Sequence, residues 1–433
     1  MGRRVCFGVM AITLLVWGAP GNVAGAASVV DTLAGATAYI EITGHNIRAP
    51  YLDFWYAHGG EDVLGSPITE AMTEGGTTVQ YFTNTRLEIQ PFGVVQAASL
   101  GRDASNGRMD GPFASISPLP PDDAIRRGFT ETHHTLANGM RRYWEAHDGT
   151  ALLGPPLSEE FTQDGGTGTV QYFLRGALVW RADHADRADD VAMLPLGRTA
   201  FDARKYPTDW LGIAPSQATP VVAVRVPVLM YHHIGPASRY FTTAAQFTTQ
   251  MDWLQANGFH PITVSHLYEA IYAGRALPDK PVAITFDDAN GDQRFAFPIL
   301  RDHGFVASYF VMSGKHDLSD AQLIDLIHTG NDVSSHTITH PHLPLIGDGA
   351  VANELQASKA DLEARLGWPV RYFAYPYGES NGRIWAAARA AGYRGAMNAT
   401  GGIAGDPEKR WSTPRIEIGG TLSLDAFARY ASP

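Results

Sequence analysis

Residues Pro281–Asp288 read Pro-Val-Ala-Ile-Thr-Phe-Asp-Asp, an apolar run that ends in two adjacent carboxylates. A short run rich in β-branched and aromatic residues predicts a buried strand. Neighbouring carboxylates repel each other unless a cation or a shared proton relieves the repulsion. Because sites in α/β barrels are built where strands end, Asp287 and Asp288 indicate a candidate site at the end of this strand.

The same pattern continues through the second half of the chain, where short apolar runs alternate with amphipathic segments. The predicted strands are Val226–Tyr231, Val282–Phe286, Val306–Val311, Asp332–Ser335, Tyr372–Tyr375 and Arg415–Ile418. The helical patterns between them include Thr243–Asn257, His266–Ala273, Ala321–Thr329 and Ala350–Leu366. Strands that alternate with helices predict an α/β fold with a mainly parallel sheet, either open or closed into a barrel.

A pair of histidines follows another of these strands, in the segment Asn331–His342. His336 and His340 are four residues apart, which places both imidazoles on one side of a single turn where they can share a metal ion. His342 is an alternative third histidine ligand, but Pro341 is expected to turn the chain away, which favours His342 as a wall of the site or a support for the ligands. Two histidines and one carboxylate make a three-ligand site with open positions for water and substrate.

Three motifs, in the order Thr285–Asp288, His336–His340 and Phe373–Gly378, together resemble the polysaccharide deacetylase family (NodB-homology domain, carbohydrate esterase family 4). The resemblance covers residues 225–433 and is strongest to the secreted poly-N-acetylglucosamine deacetylase branch. It implies a distorted (β/α) barrel with fewer strands than the eight of a complete barrel.

The resemblance also implies roles for individual residues. Asp287 matches the general base, and the backbone N–H of Tyr377 matches an oxyanion donor. Tyr375, Pro376 and Arg415 are predicted to contact substrate. The metal ligands that the resemblance implies for a divalent ion, expected to be Zn²⁺, are Asp288, His336 and His340.

Two positions depart from the commonest family pattern. Ala374 stands where an arginine usually orients the base, and Arg415 is the candidate to replace it, although an ordinary surface arginine fits the sequence equally well. No histidine follows His342 to supply the usual general acid. In the branch named above, the first histidine of a Tyr-His-His run takes this role, which here indicates His232 rather than His233.

The first half of the chain contains two copies of one pattern, offset by 89 to 91 positions. The copies share Trp55 with Trp144, a Leu-Gly-x-Pro turn and a closing aromatic run, and they predict small β-rich or α+β repeats. They resemble LGFP-type repeats of secreted cell-wall proteins, which implies binding to cell-wall glycan. The alternative is that the repeated aromatic residues form the cores of small scaffold domains.

Composition and the N-terminal segment complete the prediction. Arg3 and Arg4, an apolar run and small residues predict a signal peptide over 1–26, and the single cysteine, Cys6, lies within it. We therefore expect a secreted or cell-surface protein without disulfides or a membrane span after signal removal. A formal net charge of -11 argues against nucleic acid as a partner. The predicted domains are a first repeat at 27–110, a second repeat at 124–200, a linker at 201–225 and the catalytic domain at 226–433.

The sequence therefore predicts a metal-dependent hydrolase that removes acetyl groups from N-acetylglucosamine units of a cell-surface or extracellular polysaccharide. Peptidoglycan and chitin oligomers carry the same sugar and stay open as substrates, as does acetylated xylan. Two other classes also stay open. Non-haem Fe(II) oxygenases share the two-histidine, one-carboxylate ligand set but leave Asp287 without a task, and an inactive barrel would leave a glycan-binding protein.

Overall fold

The computed structural model describes residues 36–163, 168–206, 212 and 223–432. The predicted signal peptide and much of the predicted linker lie outside these residues. Within them, no helix combines the length and the apolar character needed to cross a bilayer. The described chain forms a β-rich pair of repeats followed by a parallel sheet with helices, so the predicted α/β class is confirmed.

The two repeats have the same succession of elements, two strands, two short helices, four strands and a last helix. The first repeat contains β1 (Thr37–Ile40), β2 (His45–Arg48), α1 (Tyr51–Ala57), α2 (Gly60–Val63), β3 (Met72–Glu74), β4 (Thr77–Tyr81), β5 (Arg86–Ile89), β6 (Val95–Ala97) and α3 (Leu100–Ser105). The second repeat contains β7 (Arg126–Phe129), β8 (His134–Ala137), α4 (Asn138–Ala146), α5 (Gly149–Leu152), β9 (Phe161–Thr162), β10 (Gly168–Tyr172), β11 (Ala177–Arg181), β12 (Val191–Met193) and α6 (Leu196–Ala203). Each has an antiparallel hairpin and a four-stranded antiparallel sheet.

The repeated tryptophans belong to the core of this region. Trp55 and Trp144 are 4% and 5% exposed, and each indole N–H donates to the carbonyl of the glycine in the Leu-Gly turn, Gly65 or Gly154. Both glycines have φ near +75°, a conformation that residues with a Cβ rarely adopt. The tryptophans therefore hold the turns in place, and binding of glycan by the repeats stays a prediction.

The last helix of each repeat packs against the other repeat. The Arg102 N–H in α3 donates to the Leu174 carbonyl of the second repeat at 3.1 Å, and the Arg198 N–H in α6 donates to the Thr83 carbonyl of the first at 3.0 Å. A Cβ at Gly101 would overlap the backbone of the second repeat, and one at Gly197 would overlap the backbone of the first. The repeats are thus interlocked through two close helix contacts.

Alanine at Gly197 is expected to lower the free energy of unfolding by about 1–3 kcal/mol, since the methyl group would force the helix away from the opposite repeat. Urea denaturation followed by circular dichroism measures this. Gly349, which has no atom near an added Cβ, is the matched control, and its alanine variant should be as stable as the parent or slightly more so. Equal stability of the Gly197→Ala variant and the parent would contradict the close contact.

The C-terminal domain alternates strands and helices from residue 228 onward. Its elements are β13 (Val228–Tyr231), β14 (His233–Ile234), β15 (Phe241–Thr242), α7 (Ala244–Ala256), β16 (His260–Ile262), α8 (Val264–Tyr272), β17 (Pro281–Asp287), α9 (Ala296–His303), β18 (Ser308–Val311), α10 (Asp320–His328), β19 (Asp332–Ser335), α11 (Asp348–Leu366), β20 (Tyr372–Ala374), α12 (Gly382–Ala390), β21 (Gly395–Met397), β22 (Ile416–Glu417) and α13 (Leu424–Ala431). Capping boxes begin α7 at Thr243 and α10 at Ser319, which explains where these helices start.

One curled sheet organises this domain. Its strand order is β21-β20-β19-β18-β17-β13-β22, β16 also pairs with β17, and every one of these pairings is parallel. The central strand β17 is buried from Val282 to Asp287 because helices cover the sheet. A parallel bridge between Met397 and Thr413 brings the chain just before β22 next to β21, which curls the sheet toward closure. The carboxyl ends of the parallel strands therefore gather at one edge, as in a distorted barrel.

The repeats contact the opposite edge of the sheet. Arg371, just before β20, forms a two-pronged ion pair with Asp62 at 2.6 and 3.0 Å, and Arg394, just before β21, binds Glu61 at 3.0 Å. Both arginines precede the strands, whereas the predicted site lies after the strands. The interface with the repeats consequently leaves the carboxyl-terminal edge of the sheet accessible.

Candidate active site

Three potential metal ligands converge after β17 and β19. One ligand atom from each of Asp288, His336 and His340 lies within 4.8 Å of the other two. Asp288 Oδ1 is 3.5 Å from His336 Nε2 and 3.7 Å from His340 Nε2. One carboxylate oxygen and two imidazole nitrogens are a donor set that Zn²⁺ accepts, with coordination positions left for water and substrate. These residues therefore fit a zinc-type ion.

The backbone at the strand ends turns these side chains toward one another. Asp288, Thr337 and His340 have φ values of 74°, 69° and 61°. His336 Nδ1 lies 2.8 Å from the carbonyl oxygen of Ala374. A ring nitrogen facing a carbonyl must carry the proton, which leaves the Nε2 lone pair directed at Asp288. Ala374 thus orients a candidate ligand through its backbone carbonyl.

Asp287 forms a buried ion pair with Arg415. The guanidinium donates to both carboxylate oxygens, at 2.6 and 2.7 Å, and Arg415 Nε donates to the Asn398 carbonyl at 3.0 Å. Asp287 and Arg415 are 2% and 1% exposed, respectively. The two-pronged geometry fixes the carboxylate plane as well as its position. Arg415 therefore holds the Asp287 carboxylate in one orientation, and its role in catalysis stays a prediction.

Electrostatics keep the Asp287 carboxylate ionised. Burial alone raises its pKa, but the charge of Arg415, then that of His336, and the hydrogen bonds from Arg415 outweigh burial, so the pKa lies well below its usual range. The pKa of His340 is lowered by burial and then by the charge of His336, although Asp288 opposes these effects. An ionised Asp287 can accept a proton, and a neutral imidazole at His340 is the state that metal binding requires.

His232 stands at the end of β13, next to β17. Its Nδ1 is buried without a hydrogen-bond partner among the described residues, and its ring lies 5.9 Å from that of Tyr240. Gln293 Nε2 donates both to the His232 carbonyl, at 2.8 Å, and to the Asp287 carbonyl, at 2.6 Å. This fully buried amide holds the backbones of the two predicted catalytic residues at a fixed separation. The sequence reasoning missed Gln293, since no motif distinguishes it from a surface glutamine.

Tyr377 borders the site with an exposed ring. Its φ is 59°, its side chain is 56% exposed, and its ring centre lies 4.5 Å from that of His340. The His342 ring stacks on the Tyr377 ring with centroids 3.8 Å apart, and His342 Nδ1 lies 2.9 Å from Glu379 Oε2. His342 therefore supports the wall of the site and is not part of the ligand cluster.

The three residues that were predicted to contact substrate, Tyr375, Pro376 and Arg415, are buried in the structure. Tyr375 is 1% exposed and donates its hydroxyl to the Trp411 carbonyl at 2.8 Å, while Pro376 is buried in the same turn. Arg415 is engaged by Asp287. The prediction that these side chains contact substrate does not agree with their burial. Tyr375 and Arg415 are held by internal hydrogen bonds, and Pro376 is packed inside the turn.

Comparisons with known proteins bear on the same region. Residues 274–396 match the family model described as polysaccharide deacetylase. This range includes the carboxylate pair, both candidate histidine ligands and Tyr377, and it excludes His232 and Arg415. The match therefore centres on the edge of the sheet where the ligand cluster lies.

Individual relatives carry similar names. The Bacillus subtilis (strain 168) protein YxkH, named among the polysaccharide deacetylases, is 26% identical over 211 residues, which are 48% of this chain and 76% of that protein. The poly-β-1,6-N-acetyl-D-glucosamine N-deacetylase of Escherichia coli (strain K12) is 44% identical over 55 residues, 12% of this chain and 8% of that enzyme. The solved structure of the Streptococcus pyogenes deacetylase PplD in complex with acetate aligns with a TM-score of 0.46 and 25% identity, over 49% of this chain and 100% of that chain.

These findings concern the C-terminal domain. The resemblance of the first half to LGFP-type repeats, the predicted domain boundaries and the predicted role of each site residue stay predictions. The predicted enzyme class, a hydrolase that deacetylates polysaccharides, is confirmed. The C-terminal domain of this chain is therefore similar to the polysaccharide deacetylase family, whose model it matches over residues 274–396.

Proposed function

We propose that this protein is a zinc-dependent N-deacetylase that acts on N-acetylglucosamine units of a cell-surface or extracellular polysaccharide. The observation that carries the proposal is the Asp287–Arg415 ion pair beside the cluster of Asp288, His336 and His340. It supports a division of labour, with one carboxylate oriented as a base and its neighbour free to bind a cation. The signal-like pattern at the N-terminus supports a secreted or cell-surface location.

Asp288, His336 and His340 would hold the metal ion. When bound, Zn²⁺ would polarise the acetyl carbonyl and lower the pKa of water at the site. The hydrogen bond between His336 Nδ1 and the Ala374 carbonyl supports the proton arrangement that metal binding needs. The non-haem iron alternative uses the same ligand types but gives Asp287 and Arg415 no task.

The bond changes require a base and an acid from this chain. Asp287 would accept a proton from the attacking water while Arg415 keeps its carboxylate ionised and aligned. As the carbon–nitrogen bond breaks, His232 would give its proton to the departing nitrogen, leaving acetate and a free amine. The backbone N–H of Tyr377 would donate to the oxyanion.

The substrate is proposed from the relatives and the branch resemblance. The Escherichia coli enzyme named as acting on poly-β-1,6-N-acetyl-D-glucosamine supports that polymer as the first candidate. Peptidoglycan and chitin oligomers are the second candidates because they present the same acetylated sugar. Acetate release measured from all three, at equal acetyl concentration, ranks them by kcat/KM.

Removal of the metal tests the chemistry. A chelator should reduce acetate release by the purified protein at least about 100-fold, and stoichiometric Zn²⁺ should restore it. Metal content is measured in the same samples by atomic emission. Full activity in protein shown to be metal-free would contradict the proposal. Absence of acetate from all three glycans, with zinc bound, would favour the non-catalytic alternative.

A further inference from the structure

One buried side chain from α11 holds the segment between His336 and His340. Glu354 Oε2 accepts hydrogen bonds from the backbone N–H groups of Ile338 and Thr339, at 2.8 and 3.0 Å. Glu354 Oε1 accepts the Thr339 hydroxyl at 2.7 Å. Glu354 is 9% exposed and does not belong to the ligand cluster. Among the described residues, the side-chain hydrogen bonds of Glu354 are all made with the short stretch that joins the two candidate ligands.

This stretch needs support from outside. Thr337 and His340 both have left-handed backbone, at φ 69° and 61°, which is unfavourable for side chains with a Cβ and especially for a β-branched one. The N–H groups of Ile338 and Thr339 both donate to the Glu354 carboxylate and would lose this partner if the carboxylate were removed. An isolated segment of this sequence would therefore populate other conformations.

The same helix also supports the start of the segment. Ser358, one turn beyond Glu354, lies 2.9 Å from the Ser335 hydroxyl, which in turn accepts the Thr337 N–H at 3.2 Å. Residues four apart on a helix share one face. The face of α11 that carries Glu354 and Ser358 thus contacts the middle of the segment directly and its beginning through Ser335.

We propose that Glu354 is a positioning residue that holds the His336–His340 segment in its metal-binding conformation before the ion arrives, and so sets metal affinity. The inference rests on the proposed function in one respect, that Asp288, His336 and His340 hold a divalent ion. Without the carboxylate, binding has to order the segment, and the cost of that ordering reduces affinity. Groups that orient metal ligands typically change affinity about 10–100-fold when removed.

The experiment is a Zn²⁺ titration of the metal-free full chain by calorimetry, with thermal unfolding of each metal-free variant. Glu354→Ala should weaken Zn²⁺ binding about 10–100-fold. Glu354→Gln should stay within about threefold of the parent, because its carbonyl accepts both N–H groups and its amide donates to the Thr339 hydroxyl. Glu363→Ala is the matched control, since Glu363 lies on α11 but binds Lys359 and the Val370 N–H instead of the segment.

Parent affinity in Glu354→Ala would overturn the inference, as would an equal loss in Glu363→Ala, which would indicate general destabilisation of α11. If the alanine variant does not fold, Glu354→Asp carries the test. Its shorter carboxylate cannot reach both N–H groups, so about tenfold weaker binding is expected, and parent affinity would overturn the inference. Zinc binding by the parent without acetate release would refute the proposed function but leave this inference standing.

Discussion

Replacing Asp287 by asparagine is expected to slow acetate release by about 10²–10⁴-fold, the usual contribution of a positioned general base. The amide cannot accept a proton from water, although it fits the same space. Asp288, His336 and His340 are unchanged, so zinc binding should persist. The measurement is kcat/KM on N-acetylglucosamine oligomers, with zinc content determined for every preparation.

The control for this variant is Asp302→Asn, the same change at a side chain that is 67% exposed and hydrogen-bonded to its neighbour Arg301. It should be as active as the parent. A folded, zinc-loaded Asp287→Asn protein with more than about a tenth of the parent activity would contradict the assignment of Asp287 as base. A variant that loses zinc as well would indicate that Asp287 contributes to the metal site.

Replacing Arg415 by methionine is expected to lower the free energy of unfolding by about 3–5 kcal/mol, because it leaves the buried Asp287 carboxylate without its counter-charge. Acetate release should fall as well, since the base loses its alignment. Lysine at this position should not restore the parent behaviour, as it cannot bind both carboxylate oxygens in one plane. Urea denaturation of the zinc-loaded proteins measures the stability change.

The double variant Asp287→Asn with Arg415→Met separates stability from chemistry. Removing both charges leaves no unpaired buried ion, so the double variant should be more stable than the sum of the single changes, while its activity stays lost. Arg301→Met, at an exposed ion pair, is the control and should change stability by less than about 1 kcal/mol. A similarly small change in Arg415→Met would contradict a buried ion pair with Asp287.

Local patterns in the C-terminal half were sufficient to predict most of the sheet. The predicted helix at Ala350–Leu366 corresponds to α11 (Asp348–Leu366), and the apolar run at Val282–Phe286 lies within β17 (Pro281–Asp287). These elements are long or strongly apolar, so their periodicity is clear. The short strands β16 and β21 and the helices α9 and α12 were not predicted, because brief elements are specified by pairing and burial more than by their own residues.

In the candidate site, spacing predicted which residues close in sequence act together, whereas it left the contact between residues distant in sequence open. Asp287 and Asp288 are adjacent, and His336 and His340 are four residues apart, so their spacing suggested a metal site, and the family resemblance supplied the role of each residue. Arg415 is more than a hundred positions from Asp287 and reaches it only because β22 pairs with β13, which lies beside β17.

Residue type alone determined which groups can carry a proton or bind a metal ion, and the order of strands and helices determined that they collect at one edge of a parallel sheet. Only the tertiary structure decided that Arg415 is buried against Asp287 and that Tyr375 faces the core. It also decided that Glu354 binds the His336–His340 segment, and that the last helix of each repeat packs against the other repeat. The reason is physical. Composition and periodicity depend on near neighbours in the chain, whereas burial and pairing depend on which distant surfaces pack together.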